Sequence, residues 1–247
     1  MSKYLKTNKY DVSWVQENWM GPNPLQLLEE LCRHLTLKPG MKVLDMGCGK
    51  GITSIFLAKE YDVTVFANDL WIDATENLHR FEETGVAGQV FPIHAEAHAL
   101  PYAKGFFDAV IAIDCYHYFG TSESYFVDVF SKLVKPGGQL GIVVPGFTRE
   151  YDKGYPETLE KLWIPEYFTF HSDKWWRYLW EKTGLCEITA SYCMEDSKTI
   201  WQQWADWSVI NFARVFGDGE KGDTDLNLLE ADINDDLSLI VMSAIKN

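Results

Sequence analysis

The sequence lacks long apolar runs, an excess of basic residues and any secretory leader pattern. It contains no run of about 18 apolar residues, so we expect no membrane-spanning helix. The start, MSKYLKTNKYD, has no apolar core of a signal peptide. Basic residues number 22 against 36 acidic ones, which gives a net charge of −14. A chain this acidic repels nucleic-acid phosphates and anionic membrane surfaces, so we expect neither kind of partner.

The sequence also has few cysteines, and their spacing is irregular. Five cysteines, an odd number without regular spacing, are typical of a reducing compartment. We therefore expect a cytoplasmic protein. Neither CxxC nor HExxH spacing occurs, so no metal site is predicted. The 47% share of hydrophobic residues is sufficient for a full core and excludes disorder as the overall state.

Helical stretches alternate with short apolar runs between residues 25 and 144, a pattern typical of a parallel α/β sheet. The predicted helices cover residues 24–37, 72–84, 125–133, 175–183 and 199–215, with another through Ile55 and Leu57. The predicted strands cover residues 41–46, 62–67, 90–93, 107–113, 139–144, 188–194 and 237–245. Residues 217–236 are predicted to form an acidic loop with a short helix inside it. The fold class is therefore α/β, with a doubly wound, mostly parallel, seven-stranded sheet.

A glycine-rich turn follows the first predicted strand. Its spacing is Gly47-x-Gly49-x-Gly51, with Asp45 two residues ahead of the first glycine. Glycines allow a tight turn and a close approach to a ligand, but this spacing differs from the GxGxxG of dinucleotide sites. The second predicted strand is followed by Asp69, which could accept both ribose hydroxyls of an adenosine or simply cap a helix.

Five segments, in order, resemble the class I S-adenosylmethionine-dependent methyltransferases. They are VLDMGCGKG (43–51), ANDLW (67–71), EAHALPY (96–102), FFDAV (106–110) and LVKPGG (133–138). The resemblance covers roughly residues 40–145. It implies a Rossmann-like fold, S-adenosyl-L-methionine as cofactor and S-adenosyl-L-homocysteine as product.

The resemblance also implies a set of cofactor-binding residues. Asp45 would support the turn near the methionine amine, and Leu70 would pack on the adenine. Glu96 stands where the family more often has Asp. The expected set is Asp45, Gly47, Cys48, Gly49, Asp69, Leu70, Glu96, Ala97 and Asp114.

The candidate catalytic residues lie just after the fourth predicted strand. Ligands of open α/β sheets bind outside the carboxyl ends of the strands, so residues 114–119 should face the transferring methyl group. His117 is the candidate general base because the ordinary pKa of histidine lies near neutrality; it could equally pack beside the cofactor. Tyr118 is expected either to shape the acceptor pocket or to fill the core.

Tryptophans concentrate towards both ends of the chain. Apart from Trp71 they are Trp14, Trp19, Trp163, Trp175, Trp176, Trp180, Trp201, Trp204 and Trp207. The spacing of the last three indicates one face of a helix, which could belong to the core. An aromatic lid over a cationic or hydrophobic acceptor is the alternative. These ends also offer a surface for a homodimer.

We therefore expect one methyltransferase domain over residues 1–247. Its parts are an N-terminal lid segment (1–24), a cofactor-binding core (25–146), and an aromatic-rich acceptor-side insertion with the last strands (147–247). The expected reaction is in-line methyl transfer to an unidentified small molecule. The alternatives are a non-catalytic protein that binds S-adenosylmethionine and a lipid-modifying enzyme like the cyclopropane-fatty-acid synthases. A nicotinamide oxidoreductase is disfavoured by the glycine spacing and Asp45.

Overall fold

The computed structural model describes residues 3–162, 164–216 and 222–247. A seven-stranded sheet runs through these residues in the order β3-β2-β1-β4-β5-β7-β6. β7 is antiparallel to β5 and β6, and the other neighbours are parallel. The prediction of a mostly parallel, seven-stranded α/β sheet is confirmed. The strands are β1 (Lys42–Met46), β2 (Thr64–Asp69), β3 (Val90–His94), β4 (Phe107–Ile113), β5 (Val134–Phe147), β6 (Cys186–Cys193) and β7 (Leu237–Lys246).

Helices cover both faces of the sheet. The α-helices of the described residues are α1 (Val12–Glu17), α2 (Pro24–Cys32), α3 (Ile52–Tyr61), α4 (Ala74–Glu83), α5 (His117–Gly120), α6 (Glu123–Tyr125), α7 (Ser131–Leu133), α8 (Glu157–Glu160), α9 (Asp173–Glu181), α10 (Ser197–Phe216) and α11 (Thr224–Ala231). A π-helical turn at Phe126–Phe130 joins α6 to α7, and Pro165–Thr169 forms a 3₁₀ turn. Within the described ranges, no helix is long and apolar enough to cross a membrane.

Side chains alternate between the two faces of the sheet. Val43 of β1 lies in a buried cluster that includes Leu28 of α2 and Phe56 of α3. Its neighbour Leu44 lies in the other buried cluster, with Phe126 and Trp180. Because both faces are covered, the central strands are apolar on both sides, as expected for a parallel sheet.

Two predicted boundaries differ from the structure by five residues. α2 ends at Cys32 instead of residue 37, and the side chain of Gln139 binds the backbone of Thr36 beyond the end of the helix. Its Oε1 accepts from the Thr36 amide at 2.6 Å, and its Nε2 donates to the Thr36 carbonyl at 3.1 Å. β5 begins at Val134 instead of residue 139, since Val134 already pairs with Phe107 of β4 and residues 135–138 form a bulge before the pairing resumes at Gln139.

The N-terminal segment packs on α2 and α10. The Glu29 carboxylate of α2 accepts hydrogen bonds from the amides of Lys6 and Thr7, at 3.0 and 2.7 Å. The indole of Trp19 contacts those of Trp204 and Trp207 edge-on, with ring centroids 6.3 and 5.9 Å apart. The segment is therefore anchored near the carboxyl ends of the parallel strands. Of the regions named from sequence, Trp163 and residues 217–221 lie outside the described residues.

Candidate active site

A cavity of about 310 Å³ lies at the carboxyl ends of β1, β2 and β4. Its wall combines the glycine turn, the end of β2, residues 95–98, the loop after β4 and residues 18–24 of the N-terminal segment. Eight of the nine residues expected to bind the cofactor line it: Gly47, Cys48, Gly49, Asp69, Leu70, Glu96, Ala97 and Asp114. The tertiary structure thus brings together residues that are far apart in sequence.

The backbone of the glycine turn requires residues without a side chain. Gly47 and Gly49 have φ values of +67° and +53°, in the left-handed region that other residues rarely adopt. A Cβ atom on Gly47 would lie 2.5 Å from the Cys115 Sγ atom, and one on Gly49 would lie 2.9 Å from the Met20 Sδ atom. Both distances are too short for non-bonded atoms. The turn therefore exposes its backbone to the cavity.

Asp69 ties the end of β2 to this turn. Its Oδ2 atom accepts a hydrogen bond from the Gly49 amide at 2.8 Å. Its Oδ1 atom accepts from the amides of Trp71 and Ile72, at 2.7 and 2.9 Å. Each carboxylate oxygen has two lone pairs, so Oδ1 is fully used and Oδ2 can accept one more hydrogen bond, from a hydroxyl in the cavity. Asp69 does not cap α4, whose N-cap residue is Asp73.

Asp45 lies beneath the turn and is not part of the cavity wall. Its Oδ2 atom accepts hydrogen bonds from the hydroxyls of Thr53 and Ser54, both at 2.6 Å, and the side chain is fully buried. Burial raises the pKa of Asp45 to about 6. The structure therefore assigns Asp45 to anchoring the start of α3. The expected position beside the methionine amine is not supported, because the carboxylate does not reach the cavity surface.

Glu96 occupies the cavity but folds back on a neighbour. Its Oε2 atom accepts from the His98 amide at 2.9 Å, and its Oε1 atom lies 2.6 Å from His98 Nδ1. His98 also lines the cavity. His98 is not among the site residues predicted from the sequence. The EAHALPY segment contains it, but the family pattern does not fix the residue at that position.

A second cavity, of about 920 Å³, adjoins the first. The two share Trp71, Asp114 and Tyr118, together with residues 20–22 and Lys50. Asp114 lies at the junction with a positive φ of +56°, and its amide donates to the Val143 carbonyl at 2.7 Å. Burial, with the nearby charges of Asp225 and Glu166, raises the pKa of Asp114 well above its usual range.

The position of His117 favours the packing alternative over the general-base role. Its imidazole is only 1% exposed and lines neither cavity. The Nε2 atom lies 3.5 Å from Glu166 Oε1, and burial lowers the pKa of His117, so the ring is neutral at neutral pH. A direct general-base role is therefore not supported, because the ring does not reach an acceptor.

Tyr118 lines both cavities, in agreement with the pocket alternative. Its hydroxyl donates a hydrogen bond to Glu166 Oε1 at 2.8 Å, and its ring contacts that of Trp71 edge-on. Burial by itself would raise the pKa of Glu166, but the nearby His117 ring and the hydrogen bond from the Tyr118 hydroxyl hold this pKa below its usual range. Sequence reasoning missed Glu166 because it lies in an aromatic segment without a motif.

Asp225 is the other acidic residue of the second cavity that the sequence did not reveal. Its two carboxylate oxygens accept hydrogen bonds from the indole Nε1 atoms of Trp201 and Trp204, both at 2.8 Å. The helical face predicted from the tryptophan spacing is thus mostly buried, and it also orients a carboxylate. In the part of the chain that the structure describes, no group of three or more His, Cys, Asp or Glu residues could hold a metal ion.

The residues of the first cavity fit an adenosine-bearing cofactor. The exposed turn backbone suits a polar amino-acid moiety, and Asp69 offers an acceptor for a ribose hydroxyl. Leu70, with half of its surface exposed, offers an apolar face for a base. The fold and the site together are those expected of an α/β protein that binds a nucleoside.

Comparison with known proteins finds methyltransferases. Residues 43–138 match the profile of a family described as "Methyltransferase domain". Sterol 24-C-methyltransferase of Yarrowia lipolytica is 30% identical over 130 residues, which cover 51% of this chain and 33% of that protein. Phosphoethanolamine N-methyltransferase 1 of Triticum aestivum is 26% identical over 178 residues, which cover 70% of this chain and 34% of that protein. The chain spans about one third of the length of these curated relatives.

A solved structure agrees in fold. Haemonchus contortus phosphoethanolamine N-methyltransferase 2, in complex with S-adenosyl-L-methionine, superposes with a TM-score of 0.73 at 19% identity, covering 99% of this chain and 58% of that chain. Residues 43–138 are thus similar to methyltransferase domains, and the solved structure of similar fold holds S-adenosyl-L-methionine.

Proposed function

We propose that the protein transfers a methyl group from S-adenosyl-L-methionine to a small molecule held in the second cavity. The observation that carries this proposal is the junction between the cavities. Asp114 and Tyr118 border both, so a molecule in the second cavity lies next to the contents of the first. The relatives whose names specify sterol or phosphoethanolamine methylation support a small-molecule acceptor.

The residues of the first cavity would hold the cofactor, which supplies an electrophilic methyl carbon on a sulfonium when bound. The amides and carbonyls of the glycine turn would bind its amino-acid part. Asp69 would accept a ribose hydroxyl, Leu70 would pack on the base, and the Cys48, Glu96 and Ala97 positions would complete the wall.

Asp114 and Tyr118 would position the acceptor. Holding two reactants in line can contribute as much as about 7–11 kcal/mol to lowering a barrier. Where the acceptor must lose a proton, the Asp114 carboxylate is the group at the junction that can take it, and its raised pKa favours that step.

Binding and turnover test the proposal separately. We expect S-adenosyl-L-homocysteine to bind in calorimetry with a micromolar dissociation constant, and NADH not to bind. With S-[methyl-³H]adenosylmethionine, we expect label to move to members of a library of small amines, alcohols and terpenoids. If S-adenosyl-L-homocysteine did not bind the folded protein, the proposal would be refuted. Binding without any transfer across the library would favour the non-catalytic alternative instead.

We also propose four features that the sequence predicts. The protein is a single domain over residues 1–247, residues 1–24 act as a lid, the location is cytoplasmic, and there is no nucleic-acid partner. The net charge of −14 supports the last of them. The homodimer stays a prediction, which light scattering of the purified protein would check.

A further inference from the structure

Three carboxylates from separate parts of the chain meet on the second cavity. Asp114 follows β4, Glu166 lies in the 3₁₀ turn Pro165–Thr169, and Asp225 lies in α11. Among the described residues, none of the three forms an ion pair with lysine or arginine. Glu166 contacts the neutral His117, and Asp225 accepts from two indoles. Their negative charge is therefore not compensated by a cationic side chain.

These carboxylates repel one another. The charges of Asp225 and Glu166 both raise the pKa of Asp114, and the charge of Glu166 raises that of Asp225, each in addition to burial. Like charges in a poorly solvated space destabilise the ionised forms, and a cation placed between them removes that penalty. Among the described residues, no group of three or more His, Cys, Asp or Glu side chains is arranged to hold a metal ion, and this includes the three carboxylates of the site.

Aromatic side chains form the rest of the wall around the carboxylates. They are Trp71, Tyr118, Tyr167, Phe170, Trp201 and Trp204. Aromatic faces attract organic cations, most strongly where water is excluded, and they also bind apolar groups. Carboxylates combined with aromatic rings therefore recognise an alkylated or amine cation better than a neutral molecule.

Two basic residues line the same cavity, and both already have partners. Arg80 lies 3.5 Å from the Glu76 carboxylate, and its Nη1 atom donates to Asn77. The Lys50 ammonium donates to the Glu17 carbonyl at 3.1 Å. With Glu76 included, four acidic residues face two basic ones, so the cavity is acidic on balance.

We propose that the second cavity selects an acceptor bearing an amine or ammonium group on an apolar body, with Glu166 and Asp225 binding the cation. This inference rests on the proposed function and narrows its substrate class. It concerns recognition of the cationic group, whichever atom of the acceptor receives the methyl group.

Matched probes test the charge preference. Choline, its uncharged carbon isostere 3,3-dimethylbutan-1-ol and the anion 3,3-dimethylbutanoate share the same branched head. Each would be titrated by calorimetry into protein saturated with S-adenosyl-L-homocysteine. We expect choline to bind at least tenfold more tightly than the neutral alcohol, and the anion to bind least.

Two variants test the residues. Glu166→Gln and Asp225→Asn should each weaken choline binding about fivefold or more while leaving 3,3-dimethylbutan-1-ol unchanged. The control Glu157→Gln removes the same charge from an exposed pair with Lys161 and should change nothing. Neither Glu166 nor Asp225 lines the first cavity, so both variants should retain their affinity for S-adenosyl-L-homocysteine. This retained affinity also shows that each variant is folded correctly. If Asp225→Asn does not fold, Glu166→Gln carries the test.

The outcomes separate the two proposals. Equal affinity for choline and the neutral alcohol, tighter binding of the anion, or an unchanged choline preference in Glu166→Gln would overturn the inference. In each of these cases retained S-adenosyl-L-homocysteine binding leaves the methyltransferase proposal intact. Loss of cofactor-product binding in the unmodified protein would instead count against the proposed function itself.

Discussion

The Gly49 amide donates a hydrogen bond to the Asp69 carboxylate at 2.8 Å, and this bond joins the turn after β1 to the end of β2. The two residues lie 20 positions apart in sequence. The parallel pairing of β1 with β2 brings their carboxyl ends to the same edge of the sheet. One carboxylate thus shapes the turn and also lines the cavity that the turn borders.

Substitution of Asp69 should therefore weaken cofactor binding. In Asp69→Asn, one side of the amide group can no longer accept a hydrogen bond from a backbone amide, and the negative charge is lost. Hydrogen bonds to charged groups contribute about 1.5–3 kcal/mol, so we expect the affinity for S-adenosyl-L-homocysteine to fall about tenfold or more in calorimetry. Asp73→Asn, at an exposed position nearby, is the control and should bind normally. Equal affinity of both variants would contradict the assigned role of Asp69.

The glycine turn permits a test that separates backbone strain from cavity shape. Gly47 and Gly85 have φ values of +67° and +74°, but only Gly47 has a neighbour where a Cβ atom would lie. Each alanine substitution should lower the free energy of unfolding by about 1 kcal/mol through the left-handed backbone. Gly47→Ala should lower the free energy of unfolding by more than Gly85→Ala does. It should also lose S-adenosyl-L-homocysteine binding, whereas Gly85→Ala should retain that binding. Denaturant unfolding and calorimetry measure the two effects, and normal binding by Gly47→Ala would show that the turn tolerates a side chain.

The buried carboxylate of Asp45 should make stability depend on pH. Burial raises its pKa in the folded state to about 6, above its value in the unfolded chain, so the folded state binds the proton more tightly. This contribution is complete at pH values below the unfolded pKa and is lost as the pH rises through about 6. A pKa shift of this size corresponds to at most about 3 kcal/mol of the free energy of unfolding.

Asp45→Asn should remove this dependence. Between pH 4 and 6, the free energy of unfolding of the unmodified protein should fall relative to that of the variant, in denaturant titrations at a series of pH values. Asp73→Asn, which changes an exposed carboxylate, should follow the unmodified protein. A constant difference between Asp45→Asn and the unmodified protein across this range would show that Asp45 ionises normally.

The pH profile of methyl transfer should distinguish Asp114 from His117. If Asp114 takes the acceptor proton, the rate should rise with pH as its carboxyl group ionises, and Asp114→Asn should remove that rise. His117 lines neither cavity, so His117→Gln should keep the shape of the profile while lowering thermal stability. If the rise of the rate with pH disappeared in His117→Gln but not in Asp114→Asn, His117 would be the general base instead.

Much of the core could be predicted from sequence because its signals are local. Alternation of apolar strands with helices, the spacing of Gly47 and Gly49, and the acidic residue that ends β2 are each contained in a short segment. Local steric rules and strand order then place them at one edge of the sheet. These features predicted the sheet, and the family resemblance that they support predicted the cofactor and eight residues of the cavity wall.

The side-chain environments could not be predicted in this way. His117 and Tyr118 are adjacent in sequence, yet one is buried and the other lines both cavities, since a short helix turns successive side chains in different directions. Asp45 has the family pattern but lies behind the turn that it supports. Burial of this kind depends on packing against distant elements, which a local pattern does not contain.

The sequence by itself determined the fold class, because the signals for strands, turns and helices are contained in short segments, and through the family resemblance it predicted the cofactor and the edge of the sheet where we expect it to bind. Only the tertiary structure decided the chemistry of the acceptor side. Glu166 and Asp225 carry no motif, and they reach Asp114 through contacts between segments that are far apart in the chain. Their shared electrostatic field exists only once β4, the 3₁₀ turn and α11 have packed around the same cavity.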